Sequence, residues 1–139
     1  MLSQAQGILP IRANRPGLHE FTNDVRDWVA TTGIRDGLLT LFCRHTSASL
    51  LIQENAAPAA QRDLERYFAR LAPESRGYEH DDEGPDDMPA HLRSALTATQ
   101  LSIPVAGGQP LFGTWQGIFL FEHRSNTPER EIALHLIGE

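Results

Sequence analysis

From His80 to Leu96 the chain reads HDDEGPDDMPAHLRSAL, two histidines and five acidic residues around a Gly-Pro. Neutral imidazole is a common ligand for zinc and related metals. A carboxylate beside it either binds the same ion or holds the second ring nitrogen. His80 and His91 stand eleven residues apart, which matches no recognised zinc spacing but which a flexible loop can close. A third histidine, His45, ends an apolar stretch and opens into the Thr/Ser-rich run HTSAS, where a side chain can point into a cleft. Taken one at a time, each histidine is more simply a solvated or locally bonded residue. The acids likewise have an ordinary reading, a solvated loop with Asp87 as helix cap.

Other residues offer chemistry with less specificity. In GTWQG, Gly113 to Gly117, the indole of Trp115 is a stacking face and Gln116 carries both a donor and an acceptor. The plain alternative is a strand bulge with Trp115 in the core. Glu122 and Arg130 read as a cross-strand ion pair worth under about 1 kcal/mol. Cys43 shares a strand face with Leu39 and Leu41, which favours a buried, inert thiol over a nucleophile. AGGQP is neither a Walker loop nor a dinucleotide fingerprint, and no serine sits in a nucleophile elbow.

The elements that must carry these groups follow from periodicity. FTNDVRDWVATTG predicts a helix with Thr22 or Asn23 as cap, Val25, Trp28 and Val29 on one face, and Gly33 at the end. DGLLTLFCRHTSASLLIQE predicts two strands or one bent strand. NAAPAAQRDLERYFARL predicts a helix capped by Asn55 with Pro58 in its first turn and Ala60, Leu64, Tyr67 or Phe68, and Leu71 as its apolar stripe. After a long polar loop, MPAHLRSAL predicts a third helix facing the core through Leu92, Ala95 and Leu96. The last third is strand-rich, and its turn-length connections between Gly107 and Gly138 predict antiparallel neighbours. Helices early and strands late make the fold α+β: a mostly antiparallel, sandwich-like (jelly-roll-like) sheet with two to three flanking helices.

The 139 residues fit one domain over 1–139. A net charge of -6, with basic residues interleaved among acids, argues against nucleic acid as a partner. No apolar run approaches a membrane span, the N-terminus lacks the pattern of a secretory signal, and the lone Cys43 fits the cytoplasm.

FCRHTSASLLIQEN, RDLERYFARL, YEHDDEGPDDMPAHLRSAL, LSIPVAGGQPLFGTWQGIFLFEHR and the closing LIGE resemble the YjbQ-like family over nearly the whole chain. The block from Ser102 to Gln116 is the most specific part of the likeness. The resemblance implies a sandwich-like α+β domain assembled as a homotrimer. It also implies a weak thiamine-phosphate synthase activity, which joins a pyrimidine pyrophosphate to a thiazole phosphate. His45, Glu54, Asn55, Asp63, His80, Gly84, Asp86, His91 and Gly113 to Gln116 match the family pattern, whereas Ala57 stands where an acid is common. On that footing His45, His80 and His91 are expected to hold a divalent metal, zinc or magnesium. His45, Glu54, Asp86 and His91 are expected to be catalytic, with Asp86 supporting a ligand. Arg44, Trp115, Gln116 and Arg130 are expected to bind a phosphorylated small molecule.

Overall fold

Leu39, Leu41 and Cys43 are buried while Leu38 and Phe42 face outward, the period of two that makes Gly37–Cys43 a strand with one covered face. The computed structural model describes residues 1–75 and 77–139. Among them the elements run β1 (Ser3–Ile11), β2 (Gly17–Glu20), α1 (Thr22–Thr32), β3 (Gly37–Cys43), β4 (Ala48–Glu54), α2 (Pro58–Leu71), α3 (Asp87–Leu96), β5 (Gln100–Ala106), β6 (Gln109–Pro110), β7 (Gln116–Glu122) and β8 (Arg130–Gly138). The strands form two sheets, ordered β1-β8-β3-β5-β6 and β2-β7-β4, with every pairing antiparallel. The fold is α+β and sandwich-like.

The main core lies between the sheets. Leu39, Leu41, Ile132, Leu134 and Leu136 of the larger sheet meet Leu50, Ile118 and Leu120 of the smaller one, with Val25 and Val29 of α1 joining them. The other face of the smaller sheet is covered as well: Leu18, Phe119 and Phe121 pack against Leu64 and Phe68 of α2. Burial on both faces explains why GIFLFE in β7 is buried at every position instead of alternating. No helix among the described residues is long and apolar enough to cross a membrane.

The segment from Gly37 to Glu54 is two strands, and they belong to different sheets, so the turn 44–47 carries the chain across the sandwich. Strands β7 and β8 are not neighbours, contrary to the reading of their short connection; β7 pairs with β2 and β4, and β8 with β1 and β3. The short link joins layers instead of forming a hairpin. Gly33 ends α1 in the left-handed conformation expected of a C-cap, at φ 71°. The caps expected at the helix starts are absent: Phe21, Ala57 and Asp86 occupy the N-cap positions, and none makes a side-chain cap bond. Helix α3 buries Asp87, Pro89 and Ala90, whereas Leu96 is exposed. Its buried face is therefore turned from the predicted one, because the carboxylate of Asp87 is drawn inward by a cation.

Candidate functional site

Strands β4 and β7 pair with Ala48 opposite Glu122 and Glu54 opposite Gln116. That register gathers the turn 44–47, the turn after β7 and the start of α3 at one end of the smaller sheet. The guanidinium of Arg124 ties the turn after β7 to the start of α3 and the loop before it. Its Nε donates to Asp86 Oδ2 (3.1 Å), its Nη1 to Asp87 Oδ1 and its Nη2 to the Glu83 carbonyl (2.9 Å). Asp86 also accepts from the Ser125 amide (2.8 Å) and hydroxyl (3.0 Å). The acids that looked like caps are thus held by Arg124 and Ser125.

With Oδ1 held, Asp87 turns Oδ2 toward both histidines, to His80 Nε2 at 2.9 Å and His91 Nε2 at 3.2 Å. The Asp87 side chain is 5% exposed, against 43% for His80 and 32% for His91. His91 Nδ1 lies 3.0 Å from the Thr46 carbonyl, which only accepts, so the ring proton must sit on Nδ1. A neutral ring then aims a bare Nε2 lone pair at a carboxylate oxygen. Two lone pairs at that distance repel unless a proton or a cation lies between them. A histidine that donates one nitrogen to a backbone carbonyl while presenting the other is the usual posture of a metal ligand.

His80, Asp87 and His91 each offer a ligand atom, all within 4.8 Å of one another. Ligands about 2.0–2.2 Å from a tetrahedral zinc lie roughly 3.3–3.6 Å apart, so the 3.2 Å from His91 to Asp87 is close to that spacing, whereas the 2.9 Å from His80 is a hydrogen-bond length that would open by about half an ångström around an ion. His80, Asp82 and Glu83 form a second grouping, wholly exposed. Asp87, not His45, completes the set, and it is the buried member. His45 is outside it, and its Nε2 accepts the Glu131 amide at 2.7 Å.

The charges reinforce one another. The bond to Asp87 raises the pKa of His80 above the ordinary value, with Glu83 and Asp82 adding to it. Burial pushes Asp87 upward, but His80, His91 and Arg124 outweigh it and hold the carboxyl below the usual range. Asp86 is likewise opposed by burial and held low by Ser125 and Arg124. Both carboxylates are therefore ionised at neutral pH.

Beside His91 opens a cleft of about 910 Å³ lined by Arg44, His45, Thr46, Ser47, Ser94 and Thr99 among others. Arg44 pairs with Glu131 at 2.6 Å, half-exposed. Arg130, assigned from sequence to a substrate phosphate, is instead buried. Its Nε reaches Glu122 Oε1 at 2.8 Å, its Nη2 reaches Glu122 Oε2, and Ser47 accepts from both terminal nitrogens, Oγ and the carbonyl each at 3.0 Å. With every nitrogen engaged, Arg130 supports the cleft floor from behind. The pair is no surface pair: the side chains are 4% and 0% exposed. Ser49 and His123 form a second buried contact at 3.0 Å.

Glu54, Trp115 and Gln116 lie at the opposite end of the smaller sheet, six residues or roughly 20 Å along β4 and β7. Glu54 accepts the Ala57 amide at 2.9 Å and so shapes the entry to α2. Gln116 closes its own turn by accepting the Gly113 amide at 2.8 Å. Trp115 is 62% exposed, not in the core. The chain thus gathers Arg44, His45, His80, Asp86 and His91 at one end and does not bring Glu54, Trp115 or Gln116 to them. Sequence reasoning missed Asp87 as a centre and Arg124 altogether. Asp87 and His91 are four residues apart, a helical spacing that puts both on one face and could have flagged the pair. Arg124 is 37 residues from Asp87 and carries no local signal.

A sequence model of the UPF0047 protein YjbQ-like family matches residues 8–139. UPF0047 protein sll1880 of Synechocystis sp. is 50% identical over 137 residues, covering 98% of this chain and 93% of that protein. UPF0047 protein YjbQ of Escherichia coli O157:H7 is 43% identical over 135 residues, covering 96% and 98%. The crystal structure of a YbjQ-like protein of unknown function from Sulfolobus solfataricus P2 superposes with a TM-score of 0.89 at 26% identity over 100% of both chains. Family model, relatives and fold agree over the same span, and the chain belongs to the YjbQ-like UPF0047 family.

Proposed function

We propose that this protein is an enzyme acting on a phosphorylated small molecule, with a divalent-metal centre at His80, Asp87 and His91 that opens onto the cleft beside His91. The observation that carries this reading is the posture of His91, which donates Nδ1–H to the Thr46 carbonyl and turns Nε2 to within 3.2 Å of the Asp87 carboxylate. Two imidazoles and one carboxylate support zinc over magnesium, because magnesium prefers an all-oxygen shell. When bound, such an ion supplies Lewis-acid stabilisation of phosphate charge or an activated water. The chain's own residues do the rest. Arg124 fixes Asp87, Thr46 fixes the ring of His91, and Arg44 at the cleft mouth offers a guanidinium to a phosphate. The family resemblance supports thiamine-phosphate synthase chemistry, the joining of a pyrimidine pyrophosphate to a thiazole phosphate, in a cytoplasmic homotrimer.

The test is metal content after mild purification, followed by turnover with the pyrimidine pyrophosphate and thiazole phosphate and a screen of other phosphorylated metabolites. One zinc per chain, lost in His91→Ala, together with product formation supports the proposal. Ligand-induced stabilisation with no product in any reaction would make the protein a non-catalytic small-ligand binder instead.

A further inference from the structure

The ring of His45 is held in one form by a backbone bond. The Glu131 amide donates to Nε2 at 2.7 Å, so that nitrogen keeps its lone pair and the neutral ring carries its proton on Nδ1. Among the described residues Nδ1 makes no hydrogen bond, and it is not one of the polar atoms sealed from solvent without a partner. His45 lines the cleft next to His91, and a neutral ring held through Nε2 has only its Nδ1–H left to offer a ligand. Its surroundings offer donors too. Ser47 Oγ accepts from Arg130, which leaves the hydroxyl proton free to point away, and Arg44 stands at the rim with Nη1 on the Glu131 carboxylate at 2.6 Å and its other nitrogens making no hydrogen bond among the described residues. The Thr46 carbonyl is already engaged by His91. A wall of donors with its nearest carbonyl occupied suits an anionic oxygen.

We infer that His45 serves the cleft as a neutral hydrogen-bond donor, through Nδ1–H, to a phosphate or diphosphate oxygen of the ligand, and acts neither as a metal ligand nor as a base. The inference rests on the phosphorylated-ligand reading and gives His45 a role within it. Protonating the ring would cost it the bond from Glu131. Burial, then the charge of Arg130, already holds its pKa below the ordinary value; Arg44 acts in the same direction, against Glu131 and Glu122.

The experiment uses the full chain, stripped of metal by chelation, with pyrophosphate as the probe. Nitrogen-15 NMR of the imidazoles at pH 7 should show His45 protonated at Nδ1 and bare at Nε2, and pyrophosphate should shift the Nδ1–H signal. His45→Ala should weaken pyrophosphate binding about tenfold or more, the loss of one hydrogen bond to a charged group. His45→Asn, which keeps an N–H close to the position of Nδ1, should recover most of it. An Nε2–H tautomer or an imidazolium at pH 7 overturns the inference, as does an Asn variant no better than Ala. Absence of pyrophosphate binding by the parent protein also overturns it. If zinc still binds in that case, the metal centre survives and only the cleft reading falls; a parent that binds pyrophosphate but no zinc loses the metal centre and keeps the donor role of His45.

Discussion

Replacing Arg130 with methionine removes the cation of a pair whose side chains are 4% and 0% exposed. Glu122 then keeps one donor, the Arg124 amide at 3.1 Å, for a carboxylate shut away from water. Breaking a buried pair from one side costs about 3–5 kcal/mol, because the surviving charge is uncompensated. The Ser47 hydroxyl and carbonyl lose their Arg130 donors as well, although the carbonyl keeps a bond from the His123 amide at 3.3 Å. For a chain of this size the loss lowers Tm by roughly 10–20 °C. Glu122→Leu should cost a similar amount from the other side. The double variant, with both charges gone and apolar volume restored, should lie within about 2 kcal/mol of the parent, giving a coupling energy of at least about 4 kcal/mol. Urea denaturation followed by circular dichroism measures all four proteins. The reasoning fails if Arg130→Met costs under about 1 kcal/mol, the value of a solvated pair, or if the two single losses simply add.

Asp87→Asn should lower zinc affinity by more than about 100-fold in calorimetric titration, beyond the roughly 10–100-fold expected when a supporting residue is removed, as in Arg124→Gln; equal affinity in Asp87→Asn and the parent would dismiss the centre. His123 is pressed down to about 3 by burial, then by Arg93 and Arg130. Its folded pKa lies below its unfolded one, so the stability it contributes is complete above about pH 6.5 and is lost as pH falls toward 3, at about 1.4 kcal/mol per unit. His45 is lowered in the same direction, so the comparison is with His123→Leu, whose denaturation midpoints between pH 6.5 and 4.5 should fall less steeply; an unchanged slope refutes the assignment. Trp115→Ala should change stability by no more than about 0.5 kcal/mol and leave zinc affinity alone, since the indole is 62% exposed and at the far end of the smaller sheet; a loss above about 1 kcal/mol would mean that it packs against something.

What the sequence determined by itself was local. Alternation in Leu39, Leu41 and Cys43 and in Ile132, Leu134 and Leu136 is written in the residues, because a strand with one covered face needs every second side chain apolar. Gly33 is similar: only its left-handed backbone is needed to stop α1. The stretch around His80 and His91 could also be marked as chemistry-bearing from residue types alone. Tertiary structure decided everything that depended on which elements meet. The partners of β7 are β2 and β4, chosen by sheet packing and not by the short link to β8. That choice puts Arg124 against Asp86 and Asp87, turning two apparent helix caps into held carboxylates. It also carries Glu54, Trp115 and Gln116 to the far end of the same strands and seals Arg130 behind Ser47. A cation 37 residues from its anion leaves no trace in periodicity or spacing. Its position depends on long-range packing, and with it the orientation of Asp87 and the pairing of the two histidines.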